Sequence, residues 1–342
     1  MRVARYYSNK DVRLEEKPVP KIGPGEILMK VHASGICGSD VMEWYRIHKV
    51  PLVLGHEVSG EVVEVGEGVT EYKKGDRICA AHHVSCNTCH YCLSGHHTVC
   101  ETLRKTNFEP GGFSEYIRLP AINVDRGVFL LPDEVSYEDA TFIEPLACIL
   151  RGQRQARFQP GQSVLVIGSG IAGLLHIQLA KALGAGRIMA TDISEYRMKA
   201  ALKLGADAVI DAKDDVPARA REINNNRLAD VVILCAGATT AIEHGLKSVE
   251  RCGSVLFFAP TDKGVTIPFS VNDTFWRNEI TLTSSYAGST ADHTTALELI
   301  RARRVDVNAM ITHRLGLADT GKGFQMVVDA KDSLKVIIEP QK

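Results

Sequence analysis

Residues 164–184, VLVIGSGIAGLLHIQLAKALG, constrain the fold more than any other stretch of this chain. A short apolar strand runs into Gly168-Ser169-Gly170-Ile171-Ala172-Gly173, and a helix-forming segment follows at once. The GxGxxG string alone is weak, because glycines are common; between a strand and a helix it has a mechanism. Gly168 permits a tight turn, Gly170 lets a pyrophosphate approach the backbone, and Gly173 lets helix and strand pack closely. Ile171 and Ala172 open the helix, whose free N–H groups and positive dipole end suit a phosphate. The strand RIMAT then ends in Asp192, 19 residues after Gly173. An acid there accepts from both ribose hydroxyls and repels a 2′-phosphate, which predicts NAD rather than NADP. The alternative is that Asp192 only caps the helix beginning at SEYRM. Arg197, one turn into that helix, either reaches the ribose or pyrophosphate or is a solvated helix charge.

The segments around this motif alternate. RIMATD, DAVID, DVVILCAG and SVLFFAP read as strands, and SEYRMKAALKLGA, DVPARAREIN and TAIEHGLKSVERCG as the helices between them. Strands separated by helices of this length make a doubly wound parallel sheet, and continuous apolar runs suit strands covered on both faces. Residues 1–80 have another grammar. KIGPGE, ILMKVHASGIC and VSGEVVEVGEGV are turns and β-branched or alternating runs, which predict a small antiparallel sheet or barrel. VSYEDATFIEPLACILRGQRQA reads as one or two helices, DHTTALELIRARRVD as a helix and SLKVIIEP as a last strand that can return to the first domain. The 342 residues suffice for about two domains. With 40 basic against 41 acidic residues, nothing suggests a polyanionic partner such as nucleic acid. No stretch is apolar enough for a membrane span, and MRVARYYSNKDVRLEEKP has no apolar signal core, so the expectation is a soluble cytoplasmic protein.

Nine cysteines are an odd number, and four of them fall within CNTCHYCLSGHHTVC. That is a poor disulfide framework and a good metal lobe. Cys86, Cys89, Cys92 and Cys100 complete a tetrahedral thiolate shell with no open position, which predicts a structural zinc; an iron–sulfur cluster is the competitor. His90, His96 and His97 read as loop residues facing solvent. Cys37, Cys79, Cys148, Cys235 and Cys252 are scattered, and most are expected to be small buried apolar groups. Cys37 in GICGSD, with His56 and Glu57 in GHE, can hold zinc and leave a place for water or substrate. By spacing alone, one Cys and one His nineteen residues apart do not define a site.

These motifs together resemble the zinc-dependent medium-chain dehydrogenase/reductase family, whose members include alcohol, threonine and sorbitol dehydrogenases. The resemblance runs through GICGSD, GHE, GEVVEVGEGV, KKGDRI, the four-cysteine lobe, GGFSEY, IEPLA and GSGIAG, essentially the whole chain. It implies a GroES-like β-rich catalytic domain, residues 1–147 and 288–342, and a Rossmann NAD-binding domain, residues 148–287, with cofactor and substrate in the cleft between. Cys37, His56 and Glu57 are the implied ligands of a catalytic zinc. Glu144 of IEPLA stands where alcohol dehydrogenases carry a second cysteine, as an alternate ligand; Cys148, a turn beyond, could mimic that cysteine, but a core position suits it better. Ser39 matches the hydroxyl that takes the alcohol proton, a role compatible with its also forming the turn in GICGSD. Asp40 is expected to orient His56 or a neighbouring loop. FFAP (257–260) and SSYAGS (284–289) fall where relatives contact nicotinamide.

The chain departs from the family at Met42, where many relatives have the histidine that ends the proton relay, since a thioether cannot shuttle a proton. Water or His48 would have to substitute. Trp44, Tyr45 and Arg46 replace the usual pocket neighbourhood, with Arg46 either a partner for a substrate phosphate or carboxylate or a surface residue. The implied activity is hydride transfer from a secondary alcohol, a polyol, sugar or cyclitol, to NAD, by a homodimer or homotetramer with ITLTSSYA (280–287) as contact. The alternatives are a threonine or amino-alcohol dehydrogenase and a non-catalytic dinucleotide-binding protein. A zinc-free quinone-type reductase is disfavoured by the retained cysteines, His56 and both glutamates.

Overall fold

A computed structural model describes residues 1–342, which form two compact units. One comprises residues 148–286 and 304–306, the other residues 1–147, 287–303 and 307–342.

The first of these is built on a six-stranded sheet, parallel throughout. Counting its strands along the chain, their spatial order is 3-2-1-4-5-6, the doubly wound order of dinucleotide-binding domains. The strand Ser163–Ile167 lies third in that order and is buried along its whole length. Both faces carry helices, so the sequence has no polar alternation here, only continuous apolar runs. Leu165, Ile167, Met189, Val232, Leu234 and Val255 form the core beneath them. One element differs from expectation. TAIEHGLKSVERCG is helical only over Thr239–Lys247, and the next strand starts already at Val249 and runs to Phe257. Val249 pairs with Ala229 ahead of a register shift, and Cys252 at a φ of 61° lets the strand bend before Ser254 resumes the ladder. Pairing with the sheet overrides the helical pattern of VERC.

In the other unit, a seven-stranded sheet is centred on the strands Ile27–Gly35 and Glu57–Val65. They pair antiparallel with two register shifts. Ile27, Met29, Val31, Val58, Val62, Ile78, Ile117 and Leu119 are all but excluded from solvent. Gly60 is required here, because a Cβ would strike the carbonyl oxygen of Lys30 on the facing strand. The last strand, Lys335–Glu339, returns to this sheet and pairs with Gly35 and Ser34. Beside it runs Ile311–Gly316, parallel, joined through the helix Thr320–Asp329. Sequence periodicity had suggested neither element. The helix Thr290–Arg301 starts at a capping box between Ser289 and Asp292. No helix is long and apolar enough to cross a membrane. All nine cysteines are unpaired thiols. Of the five scattered ones only Cys79 is fully buried and Cys252 is exposed, so the expectation that most are buried is corrected.

Candidate active site and metal centres

The strand Ile27–Gly35 ends at the turn that presents Cys37, and Glu57–Val65 begins just after His56. The antiparallel pair Gly35–Glu57 therefore brings together residues that sequence spacing left apart. One ligand atom each of Cys37, His56 and Glu57 lies within 4.8 Å of the other two. Asp40, wholly buried, turns one oxygen to the N–H of Cys37 at 3.0 Å and the other towards His56 Nδ1 at 3.4 Å. That orients the ring and leaves Nε2 for a metal. Burial disfavours a charged His56, yet the fields of Asp40 and Cys37 outweigh it and raise its pKa well above the usual imidazole range. The site thus calls for a cation, and one soft, one borderline and one hard donor suit zinc. Ser39 Oγ donates to Cys37 Sγ at 3.4 Å.

Glu57 has a second partner. Lys335 from the last strand is buried with it, pairs with its carboxylate and also donates to the carbonyl of Ile36 at 3.3 Å. Nothing in the motifs pointed to Lys335; the one signal is a lysine heading an apolar strand, KVIIE. Glu144, in the first turn of the helix Ile143–Gln155, does not join the cluster of three. It lines a small cavity with Val58, Cys79, Ala80 and His293. His293 Nδ1 faces the carbonyl of Ser289 at 2.8 Å. His82 is a further unanticipated neighbour, its ring 4.8 Å from that of His56 and its Nδ1 enclosed without a partner.

Met42 caps the helix Glu43–Arg46, accepting from the N–H groups of Tyr45 and Arg46. His48 is exposed in the following turn. The side chain that reaches Ser39 is Arg46: Nε donates to the Ser39 carbonyl at 3.0 Å and Nη2 to its hydroxyl at 3.3 Å. Trp44 and Tyr45 are largely exposed beside it.

The second cluster gathers Cys86, Cys89, Cys92 and Cys100. Sulfur separations of 3.6, 3.6 and 3.9 Å match the edge of a tetrahedron with zinc–sulfur arms of about 2.3 Å, roughly 3.8 Å. Thr88 and then the N–H of Cys89 pull the Cys86 thiol down to about 5, whereas burial and its neighbours push Cys92 up to about 12. Four thiolates this close repel, and a divalent cation removes the conflict. His90 and His96 are exposed and His97 half-buried, none of them in the cluster.

In the parallel-sheet unit, Gly168 has a φ of 95°, and a Cβ on Gly173 would collide with the Gly168 carbonyl. The helix Ile171–Ala182 starts after Gly170, above which a Cβ would find only Arg197 Nη1, at 3.9 Å. Asp192 accepts from Ser169 N at 2.8 Å and from Ser194 N at 2.9 Å. Ser194, whose Oγ accepts from Arg197 N, is the helix cap; Asp192 braces the glycine-rich turn.

Residues 23–133 match the alcohol dehydrogenase GroES-like domain, and residues 172–302 the zinc-binding dehydrogenase domain. A sorbitol dehydrogenase of Bacillus subtilis (strain 168) is 31% identical, with 100% of this chain and 98% of that protein covered. The chain belongs to the zinc-dependent medium-chain dehydrogenase/reductase family. An L-threonine 3-dehydrogenase of Bacillus velezensis is 33% identical over 96% of this chain and 95% of its own. The crystal structure of 2R,3R-butanediol dehydrogenase from Bacillus subtilis superposes with a TM-score of 0.86 at 30% identity, covering 99% of both chains. Medium-chain dehydrogenases of this type are oxidoreductases that work with zinc and NAD(H), and this one carries donor sets and a glycine cradle that fit both.

Proposed function

We propose that this dehydrogenase oxidises a secondary hydroxyl of a polyhydroxylated small molecule, a polyol, sugar or cyclitol, passing hydride to NAD. The observation that carries the reading is the convergence of Cys37, His56 and Glu57 beside Ser39. Zinc bound there supplies Lewis-acid activation of the substrate hydroxyl. Cys37 and His56 would hold it with Glu57, and Glu144 would serve as an alternate ligand. Asp40, its carboxylate 3.4 Å from His56 Nδ1, favours a proton on that nitrogen. Ser39 Oγ would receive the substrate's hydroxyl proton as its own proton passes on to water. Cys86, Cys89, Cys92 and Cys100 would hold a second, structural zinc.

Gly168, Gly170, Ile171, Ala172 and Gly173 would receive the pyrophosphate, with Arg197 above Gly170 and Asp192 on the ribose. The Asp192 carboxylate favours NAD, because a 2′-phosphate would meet it charge to charge. The strand Thr281–Ser284 ends the sheet and is partly exposed, which supports a homodimer or homotetramer formed at that edge. Nine free thiols suit a reducing, cytoplasmic setting.

The test is NADH formation across polyols, sugars, cyclitols, amino alcohols and alkanols, with zinc counted on the same sample. Turnover confined to the polyhydroxylated group is expected. Cys37→Ala should remove one of two zincs per chain and abolish turnover. Preferential oxidation of threonine would replace this reading with the amino-alcohol one. Full activity in the Cys37→Ala protein would sink the catalytic assignment.

A further inference from the structure

We propose that Arg46 makes this enzyme selective for a secondary alcohol that also bears a carboxylate, a polyhydroxy acid; the inference rests on the dehydrogenase reading above. Arg46 ends a four-residue helix whose other side chains are exposed, yet its own side chain is only 15% exposed. It folds back over Ser39, spending Nε on the carbonyl and one Nη2 hydrogen on the hydroxyl. Nη1, with two N–H groups, has no partner within the protein. A guanidinium donates only, so this open edge can take a ligand acceptor.

The nearest acid does not fill it. Asp40 ion-pairs with Nη2 at 3.7 Å while its oxygens serve Cys37 N and face His56, so Nη1 is left open. Glu43, the acid of the helix itself, is exposed. Lys49 adds positive charge beside it, over the Tyr45 ring at 4.7 Å, with Arg46 over the same ring at 4.8 Å. His82 adds an enclosed Nδ1 without a partner next to His56. A neutral polyol offers this cationic edge no charge to meet. A carboxylate meets it in two parallel N–H···O bonds. The location sets the chemistry. Arg46 is one hydrogen bond from Ser39 and Ser39 one from Cys37, so a carboxylate a few bonds from the reacting carbinol comes within reach while the hydroxyl sits at the metal.

The experiment compares kcat/KM for aldonates and the alditols of matching configuration, using zinc-loaded wild type, Arg46→Gln and Arg46→Lys. Calorimetric binding of D-gluconate without NAD provides a readout independent of turnover. Wild type should prefer the acid. In Arg46→Gln the acid-to-alditol ratio should fall roughly tenfold to a hundredfold, the range for one charge-assisted contact, and gluconate binding should weaken in step. Arg46→Lys keeps the charge without the fork and should fall between. Alditols oxidised by wild type with no preference for acids would overturn the inference and leave the dehydrogenase standing. A proportional loss on both series in Arg46→Gln would also overturn it, since Arg46 would then only hold Ser39. If neither series is oxidised and gluconate binds wild type and Arg46→Gln alike, both readings fail.

Discussion

Asp192 has one duty in the structure and a second in the proposed cofactor site. Its oxygens accept from Ser169 and Ser194, bracing the glycine-rich turn, and in the proposed cofactor site its charge would oppose a 2′-phosphate. Asp192→Gly should therefore shift the NAD-to-NADP preference towards NADP by about tenfold or more. It should also lower the melting temperature, because two backbone donors lose their acceptor. Steady-state kinetics with both cofactors and thermal melting check this; an unchanged preference would show that Asp192 serves the turn alone. His176 is a second residue-scale case. It is fully enclosed, its ring edge-on to Phe258, and burial pushes its pKa from 6.5 down to about 3. The unfolded chain takes up a proton near pH 6.5 while the folded protein stays neutral to about pH 3. Stability is then lost as pH falls through this window, with a slope of at most about 1.4 kcal/mol per pH unit for one proton. In urea unfolding followed from pH 7 to 5, His176→Leu should flatten the decline of the midpoint. Identical declines in both proteins would remove His176 as its source.

Among the elements, the four-cysteine lobe depends most on something besides packing. His90–Leu93, His97–Val99 and Glu101–Lys105 are each far too short to persist as helices alone. From His90 to Lys105 only Cys92, Thr98, Cys100 and Leu103 are buried. Metal binding must supply what so small a core lacks. Cys100→Ser should remove one zinc per chain and open residues 86–105 to proteolysis, as zinc analysis and limited digestion will read. Retention of both zincs would place the second ion elsewhere. The strands Ile27–Gly35 and Glu57–Val65 show the opposite case, in which the sheet does the positioning. Their register carries Cys37 and Glu57 to one end of the sheet through backbone pairing alone.

For the whole chain, the decisive feature is that its end returns to its beginning. Lys335 lies 278 residues from Glu57, yet the two are buried together at the candidate metal centre. Removing one partner of a buried pair leaves an uncompensated charge, at a cost of about 3–5 kcal/mol. Lys335→Met should destabilise the protein on that scale when zinc is removed. With zinc present the penalty should shrink, because Glu57 then has a cation to meet. Chemical denaturation with and without chelator measures the difference; an equal loss in both states would mean that Glu57 does not approach the metal.

The local readings in the sequence were those with a short-range mechanism. The glycine-rich turn, the acid at Asp192, the four-cysteine spacing and the alternation of strands and helices each involve neighbours along the chain, and the structure has a counterpart for each. VERC was misjudged as helix because its pairing with Ala229 lies outside any local window. Met42 announced a missing relay group but not that Arg46 reaches Ser39, which depends on how a single helical turn folds back. Lys335, His82 and His293 carried no motif, whereas Glu144 matched one. The sequence by itself determined the two kinds of sheet, the dinucleotide turn and the thiolate lobe. Only the tertiary structure decided which distant charges meet, because side chains far apart in the chain are brought together by strand register and by the cost of burying a charge unpaired.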